Sequence, residues 1–288
     1  MIYQFIERHQ AQYPVERTCS VLGVARSAYY RWKRRLPSQH EKDNETLIDH
    51  IRRIHKLSRK AYGSPRIYYQ LKKLGIACSP KRVARLMRQD NLKGRRKYRR
   101  VRTTDSQHTF PVADNLLNRE FAAERPNEKW VADITYIPTD EGWLYLAGVL
   151  DLYSRKIVGW AMESQINTEL VEKALRMAYY QRQPEHELLH HSDRGSQYAA
   201  HSVRTLLDSH HTQVSMSGKG NCWDNAVMES FWGTLKNEWV HHQQYKTRAQ
   251  AKTDIFGYIE GFYNTVRLHS TLGYLSPAEF EANYFKTP

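Results

Sequence analysis

The sequence predicts an α/β fold, a mixed five-stranded sheet with flanking helices, preceded by small all-α helix-turn-helix units. Three observations lead there. Charge changes steeply along the chain, the first third pairs short helices around glycine, and a β-rich run then gives way to alternating helices and strands.

The chain has 288 residues, 40% hydrophobic and 12% aromatic, which supplies a real core and argues against wholesale disorder. No apolar stretch approaches the roughly 18 residues that mark a membrane span. Residues 1–12 mix polar and apolar types, unlike a secretory signal. Cys19, Cys78 and Cys222 lie far apart without a C-x-x-C pair, so neither a disulfide framework nor a zinc site is expected. The pairs His190-His191, His210-His211 and His241-His242 have no cysteine partners at ligand spacing and read as solvated or hydrogen-bonded histidine. A reduced, cytoplasmic chain fits this usage.

Residues 1–110 hold 27 Lys+Arg against 8 Asp+Glu, a net charge of +19, whereas the remaining 178 hold 17 against 22, a net of −5. So lopsided a split points the N-terminal third at a polyanion, with nucleic acid foremost, and places such a chain at the nucleoid.

In chain order, residues 14–22 read as a short helix, Gly23 breaks it, and Ser27 caps a second helix rich in Tyr29, Tyr30, Arg31, Trp32, Lys33, Arg34 and Arg35. Pro37-Ser38 reads as a linker. A clearer copy follows. Ser64-Pro65 starts a helix with Ile67, Leu71 and Leu74 on one face, Gly75 stops it, and Ser79-Pro80 starts the next. That helix turns Val83, Leu86 and Met87 inward and Lys81, Arg82, Arg85 and Arg88 mainly outward, which suits entry into the DNA major groove. A small bundle with a solvated basic face is the bland alternative for both units. The tract from Lys93 to Arg102, including Arg95 and Arg96, reads as an extended linker that neutralises phosphates.

From Lys129 the texture changes. Residues 129–138, 143–152 and 156–162 read as three consecutive strands with short connections, an antiparallel meander. A helix over 168–182, a strand over 187–191, a helix over 200–209 and a strand over 212–216 follow. After the loop 217–223, Asp224 or Asn225 caps a helix reaching about Val240. The order βββ-α-β-α-β-α is the ribonuclease H-like plan, although other α/β folds share parts of it.

Phosphodiester chemistry needs an in-line nucleophile and charge relief on the leaving oxygen, which two divalent ions about 3.5–4 Å apart provide. Mg²⁺ takes carboxylate oxygens and keeps several waters, so three acids suffice. Asp133 sits mid-strand, where an acid is costly unless it faces a polar site. Asp193 lies just past a short strand, where α/β sheets place ligands. Glu229 lies on a helix among Val227, Met228, Phe231 and Trp232. Asp193 could instead cap a turn, and Glu229 could be a solvent-facing helix acid.

These residues also carry a resemblance. Asp193 and Glu229 are separated by 35 residues, the spacing of the D-D-35-E signature. The text around them resembles the same group: Trp130-Val-Ala-Asp133-Ile-Thr-Tyr, His191-Ser-Asp193-Arg-Gly-Ser-Gln-Tyr198, Asp224-Asn-Ala-Val-Met-Glu229-Ser-Phe-Trp-Gly-Thr-Leu-Lys236, and Tyr263-Asn-Thr-Val-Arg267-Leu-His269 with Ser276-Pro277 beyond. Tyr62-Gly63-Ser-Pro-Arg66 and Arg85-Leu-Met-Arg88 extend the likeness over nearly the whole chain. It is similar to the downstream-frame (OrfB-type) transposases of bacterial insertion sequences, in the D-D-35-E integrase/transposase superfamily.

The resemblance implies that Asp133, Asp193 and Glu229 hold two Mg²⁺ ions, with Mn²⁺ able to substitute, and are the catalytic acids of DNA cleavage and strand transfer. Lys236, seven residues after Glu229 on one helix face, would contact phosphate near the cleavage point, and Lys219 in the preceding loop is a second candidate. Water would cut one strand, and the exposed 3′-OH would attack a second phosphodiester without a covalent protein intermediate. The partners implied are the terminal inverted repeats, target DNA, further copies of the chain, and an upstream-frame DNA-binding protein or fusion.

The domain organisation expected is a helical unit over 1–40, a second helix-turn-helix region over 41–92, a basic linker over 93–124, the catalytic core over 125–245 and a helical extension over 246–288. Three alternatives compete. A tyrosine recombinase would use His201-Ser-Val-Arg204 and Tyr245 but leaves the acids unexplained. A DNA-binding regulator with a dead nuclease-like domain would not need every acid. A plain ribonuclease H-like nuclease would not need the helix-turn-helix units. His269 has no role derivable at this level.

Overall fold

The computed structural model describes residues 1–95, 113–218 and 222–286 and divides into two compact units, Met1–Arg52 and Arg53–Pro288.

The first unit begins with three short helices, α1 (Ile2–His9), α2 (Val15–Val21) and α3 (Arg26–Lys33). Ile6, Cys19 and Tyr29 form its small core, with Tyr3, Val15, Leu22, Val24 and Trp32 packed around them. Gly23 ends α2 at a φ of +64°, which a side chain rarely adopts. The start of α3 differs from the expected Ser27 cap: Ala25 stands there in extended conformation and contributes no side-chain bond. Helix α4 (Gln39–Leu57) begins directly after the Pro37-Ser38 pair read as a linker. Its start is bound reciprocally, the Ser38 backbone N–H reaching Glu41 at 2.7 Å and the Glu41 N–H reaching Ser38 Oγ at 3.3 Å.

In the second unit, α5 (Ser64–Lys73) and α6 (Pro80–Gln89) form the expected pair. Ile67, Leu71, Val83, Leu86 and Met87 are buried, and Gly75 turns the chain at a φ of +73°. Ser79 caps α6 by accepting the Arg82 N–H. Gly63, by contrast, occupies the cap of α5, so Ser64 lies within the helix.

The sheet contains β1 (Lys129–Ile137), β2 (Leu144–Asp151), β3 (Ile157–Glu163), β4 (Leu189–Ser192) and β5 (Gln213–Met216), in the order β3-β2-β1-β4-β5. The first three strands are antiparallel, and β4 and β5 run parallel to β1 and to each other. With α7 (Thr168–Arg182), α8 (His201–Ser209) and α9 (Ala226–Glu238), this is the ribonuclease H-like plan. Alternate residues of β1, Trp130 and Ala132, join Leu170, Ala174, Ala178, Val203 and Leu207 in one apolar core. Gly159 lets α7 approach β3, because a Cβ there would lie 2.2 Å from the Ala174 carbonyl oxygen.

The C-terminal residues form α10 (Arg248–Tyr258), a π-helical turn (Ile259–Tyr263) and α11 (Pro277–Tyr284). They are fastened to the edge of the sheet. The Asn264 amide accepts the Ile157 N–H and donates to the Ile157 carbonyl, both at 2.9 Å, as a neighbouring strand would. The same segment grips the α5 region. Tyr62 donates to the Val266 carbonyl at 3.0 Å and accepts the Leu268 N–H at 2.8 Å. These long-range bonds explain why residues 53–92, the core and the extension gather in one unit, and why the division falls inside α4 rather than at the expected 40/41 boundary. Among the described residues, no helix is long and apolar enough to cross a membrane.

Candidate active site

Asp133 lies midway along β1, paired with Gly148 of β2. A Cβ on Gly148 would come within 2.7 Å of Met228 and 2.9 Å of the Trp232 ring, so the missing side chain is what admits α9 to this face of the sheet. The start of α9 is fixed to β1 next to Asp133, because Asn225 Nδ2 donates to the Ala132 carbonyl at 2.9 Å. Asp224 accepts from Arg119 at 2.9 Å, Asn115 at 3.0 Å and the Gly218 N–H at 2.8 Å. Neither residue therefore caps α9 through its side chain as the sequence suggests. Both anchor the helix to its surroundings.

With α9 so placed, Trp232 Nε1 donates to Asp133 Oδ2 at 3.0 Å, while Oδ1 accepts the Ile134 N–H at 2.8 Å. Burial first, and then the charges of Asp193 and Glu229, push the Asp133 carboxyl up to about 8 against the pull of those two hydrogen bonds. The three acids thus feel one another. Asp193, half-buried just past β4, also closes a turn by accepting the Gly195 N–H at 2.9 Å. Turn-capping and membership of the acid cluster coexist. Glu229 is half-buried in the first turn of α9, where the helix dipole favours an acid.

Tyr198 is a neighbour to which the sequence alone assigns no task. Its buried hydroxyl has no hydrogen-bond partner among the described residues, and it is pushed well above the usual tyrosine range by burial and then by the charges of Asp133 and Asp193. Trp232 was also missed as a ligand of Asp133. Its position three residues after Glu229 on one helix face was the available signal. Lys236 sits 4.3 Å from the Tyr136 ring centre; burial lowers its pKa while the Asp133 charge opposes that shift.

The site does not draw on histidine. His191 lies between Ser215 at 2.8 Å and Ser217 at 3.1 Å and is brought down to about 4 by burial. Burial alone takes most of the credit for His190, at about 3. Both are therefore neutral, structural groups. Among the described residues, no three His, Cys, Asp or Glu side chains are drawn close enough to hold a metal ion as placed. The donor chemistry nevertheless fits one, since three hard oxygen ligands repel one another at Asp133 and a divalent cation would relieve that repulsion.

Of the basic residues singled out in sequence, Lys81, Arg85 and Arg88 are exposed on α6 and Arg82 is half-buried. Arg95 is turned inward rather than standing in an open linker. It donates to the Glu238 carbonyl, with its guanidinium 5.2 Å from the Trp239 ring centre. Arg96 and Lys219 lie outside the described residues. In the first unit, an open cavity of about 870 Å³ runs along α3 beside Tyr30, Arg31, Trp32, Arg34 and Arg35. The recombinase alternative fails at its nucleophile: Tyr245 is buried, donates to Asp254 at 2.7 Å, and is raised by burial far from the range of a reactive phenolate.

Comparison with known proteins places these features in context. An integrase core domain model matches residues 123–222, a second integrase core domain model matches residues 210–277, and an HTH-like domain model matches residues 42–100. The chain is 47% identical over 266 residues to the insertion element IS600 uncharacterized 31 kDa protein of Shigella sonnei, covering 92% of this chain and 98% of that one. It is 39% identical over 283 residues to the transposase InsF for insertion sequence IS3A of Escherichia coli K12, covering 98% of both. Among solved structures, the HTLV-2 integrase catalytic core domain in complex with magnesium matches at a TM-score of 0.42 and 14% identity, over 55% of this chain and 98% of that one.

Proposed function

The chain belongs to the transposases of bacterial insertion sequences, DDE-type polynucleotidyl transferases with an integrase core, and from that premise we propose that Asp133, Asp193 and Glu229 are its catalytic acids and metal ligands. The observation that carries the assignment is Asp133 itself. It is a half-buried acid in mid-strand, oriented by Trp232 of the helix that bears Glu229, and raised by burial and then by the charges of both other acids.

Two Mg²⁺ ions, or Mn²⁺ in their place, would supply charge relief to the attacking and leaving oxygens of an in-line displacement at phosphorus. The chain's own groups do the rest. Trp232 holds Oδ2 of Asp133, and the Asp193 turn fixes its carboxylate at the end of β4. Lys236, braced on Tyr136, would pair with a phosphate oxygen beside Asp133. In the first displacement, water attacks the phosphorus and the P–O3′ bond breaks, leaving a 3′-OH. In the second, that hydroxyl attacks another phosphodiester, whose own 3′-oxygen departs. Lys81, Arg82, Arg85 and Arg88 of α6 would bind the element's terminal repeats. Assembly of several copies on DNA, an upstream-frame partner and action at the nucleoid in the cytoplasm complete the reading.

The test is strand transfer on labelled duplexes made from the DNA that flanks the gene, with Mg²⁺. Joined products that disappear in Asp133→Asn, Asp193→Asn and Glu229→Gln are expected. Joining that survives any of the three substitutions would overturn the assignment.

A further inference from the structure

Far along α9 from Glu229, a second cluster surrounds Glu238. Arg267 clasps this carboxylate with both arms, Nε to Oε2 at 2.7 Å and Nη2 to Oε1 at 2.6 Å. Tyr258 donates to Oε2 at 3.2 Å. The third arm of Arg267, Nη1, lies 3.1 Å from His269 Nε2. Burial, followed by the charges of Arg267, Arg66 and Arg155, drives the His269 pKa well down, so the ring is neutral and its Nε2 accepts. Arg267 therefore balances the charge of Glu238, and His269 accepts from its remaining arm.

Arg66 is then surplus to charge balance. It reaches Glu238 Oε1 at 3.2 Å from α5. Its own pKa is lowered by burial and by Arg267, which marks its place as costly rather than comfortable. A second guanidinium on an already neutralised carboxylate needs another reason. That reason is what it connects: α5, which packs against α6, the C-terminal end of α9, and the segment after the π-helical turn. Two further bonds flank the same joint: Tyr62, just before α5, holds Val266 and Leu268, and Arg95, beyond α6, holds the Glu238 carbonyl.

We infer that Arg66, Glu238 and Arg267 form a positioning joint that fixes α9, and with it Glu229, to the helix pair α5–α6, so that placement of the acid follows engagement of DNA by α6. The inference rests on the reading of Glu229 as a catalytic acid. A helix is stiff along its axis, so a displacement imposed at Glu238 reaches Glu229 nine residues away, and Trp232 and its bond to Asp133 lie between them. Arg66 is a positioning residue in this scheme and touches no substrate.

The experiment compares Arg66→Met, Arg66→Lys and the unsubstituted full chain, using the duplexes from the gene-flanking DNA. Arg66→Met is expected to lower kcat for strand cleavage about tenfold or more with KM for DNA changed less than about twofold, and Arg66→Lys, which keeps the charge without the planar fork, to fall between. Melting temperature should barely move, because Glu238 keeps Arg267. An unchanged kcat, or a loss of kcat that follows melting temperature and disappears on cooling, overturns the inference. Hydrogen exchange supplies a readout independent of catalysis. Adding the duplex should slow amide exchange over 80–89 and 226–238 in the unsubstituted chain, and over 80–89 alone in Arg66→Met. Equal protection of 226–238 in both, or none in the unsubstituted chain, also overturns it. Activity surviving Glu229→Gln while the exchange pattern holds would sink the assignment of the acid and leave the joint standing.

Discussion

The two ends of α9 hold carboxylates in opposite company. At its start Glu229 shares a site with Asp133 and Asp193, and the Asp133 carboxyl is driven up by burial and by those like charges. At its end burial would push Glu238 up as well, yet Arg267 and Arg66 bring it below its ordinary value. The helix dipole makes the contrast sharper, since it favours an acid at the first turn and opposes one at the last. Glu238 therefore needs its bidentate partner Arg267 simply to exist there. The three-acid cluster is the unstable arrangement and, in the function proposed, the one a divalent cation would complete. Burial alone does not separate these two sites; the sign of the neighbouring charges does.

Asp193→Asn should give the largest effect. A loss of strand transfer of about a thousandfold, about 4 kcal/mol of barrier, is expected with the fold intact by circular dichroism. Retained activity would erase the distinction between the two ends. Arg267→Met comes next and attacks stability instead. Leaving Glu238 buried without its bidentate partner should cost about 3–5 kcal/mol, seen as a large drop in melting temperature, and pairing it with Glu238→Leu should restore much of the loss. A variant that melts normally would mean Glu238 is not held as described.

Gly148→Ala lies between the two regimes. Its new methyl would meet Met228 and the Trp232 ring, so about 1–3 kcal/mol of overpacking is expected. Activity should fall further than stability, because Trp232 is moved off Asp133. Equal losses in both would remove Trp232 from the site. Smaller again is a pH effect in metal-free protein. Asp133 titrates near 8 in the fold against an ordinary 3.8, so between those values the folded state binds the extra proton and stability falls as pH rises. Asp133→Asn should therefore melt a few degrees higher than the unsubstituted chain near pH 8, with the gap closing toward pH 4. A gap that widens toward acid would reverse the assignment of burial and like charge. Smallest is Arg85→Ala on exposed α6, expected to weaken DNA binding without changing cleavage of bound DNA and to reduce the salt slope by about 1. An unchanged slope in a binding titration would take Arg85 off the DNA.

Sequence alone determined a good deal. β-Rich runs between turns marked β1 to β3 within a residue or two, and the spacing of apolar residues from Leu170 to Ala178 located α7 at its observed ends. Asp133 stood out because an Asp flanked by Ala132 and Ile134 in a strand is chemically out of place, whereas Asp193 and Glu229 stood out by their places at a strand end and on a helix and by the motifs around them. Less was legible in α1, which has no capping side chain, and in α4, whose start is bound through Ser38, a residue read with Pro37 as linker. Arg66, and Arg267 with His269, were visible in two separate motifs, and no role could be derived for His269. Their partner Glu238 lies 29 residues from Arg267 and 172 from Arg66, and no local periodicity reports on such a meeting. The same holds for Trp232 and Asp133, 99 residues apart. Local patterning fixes which residues face inward, because helix and strand periods are properties of a few neighbouring residues. Which inward-facing charges meet one another, and whether the meeting is a repulsion or a clasp, was decided only when the sheet, α9 and the C-terminal segment closed together.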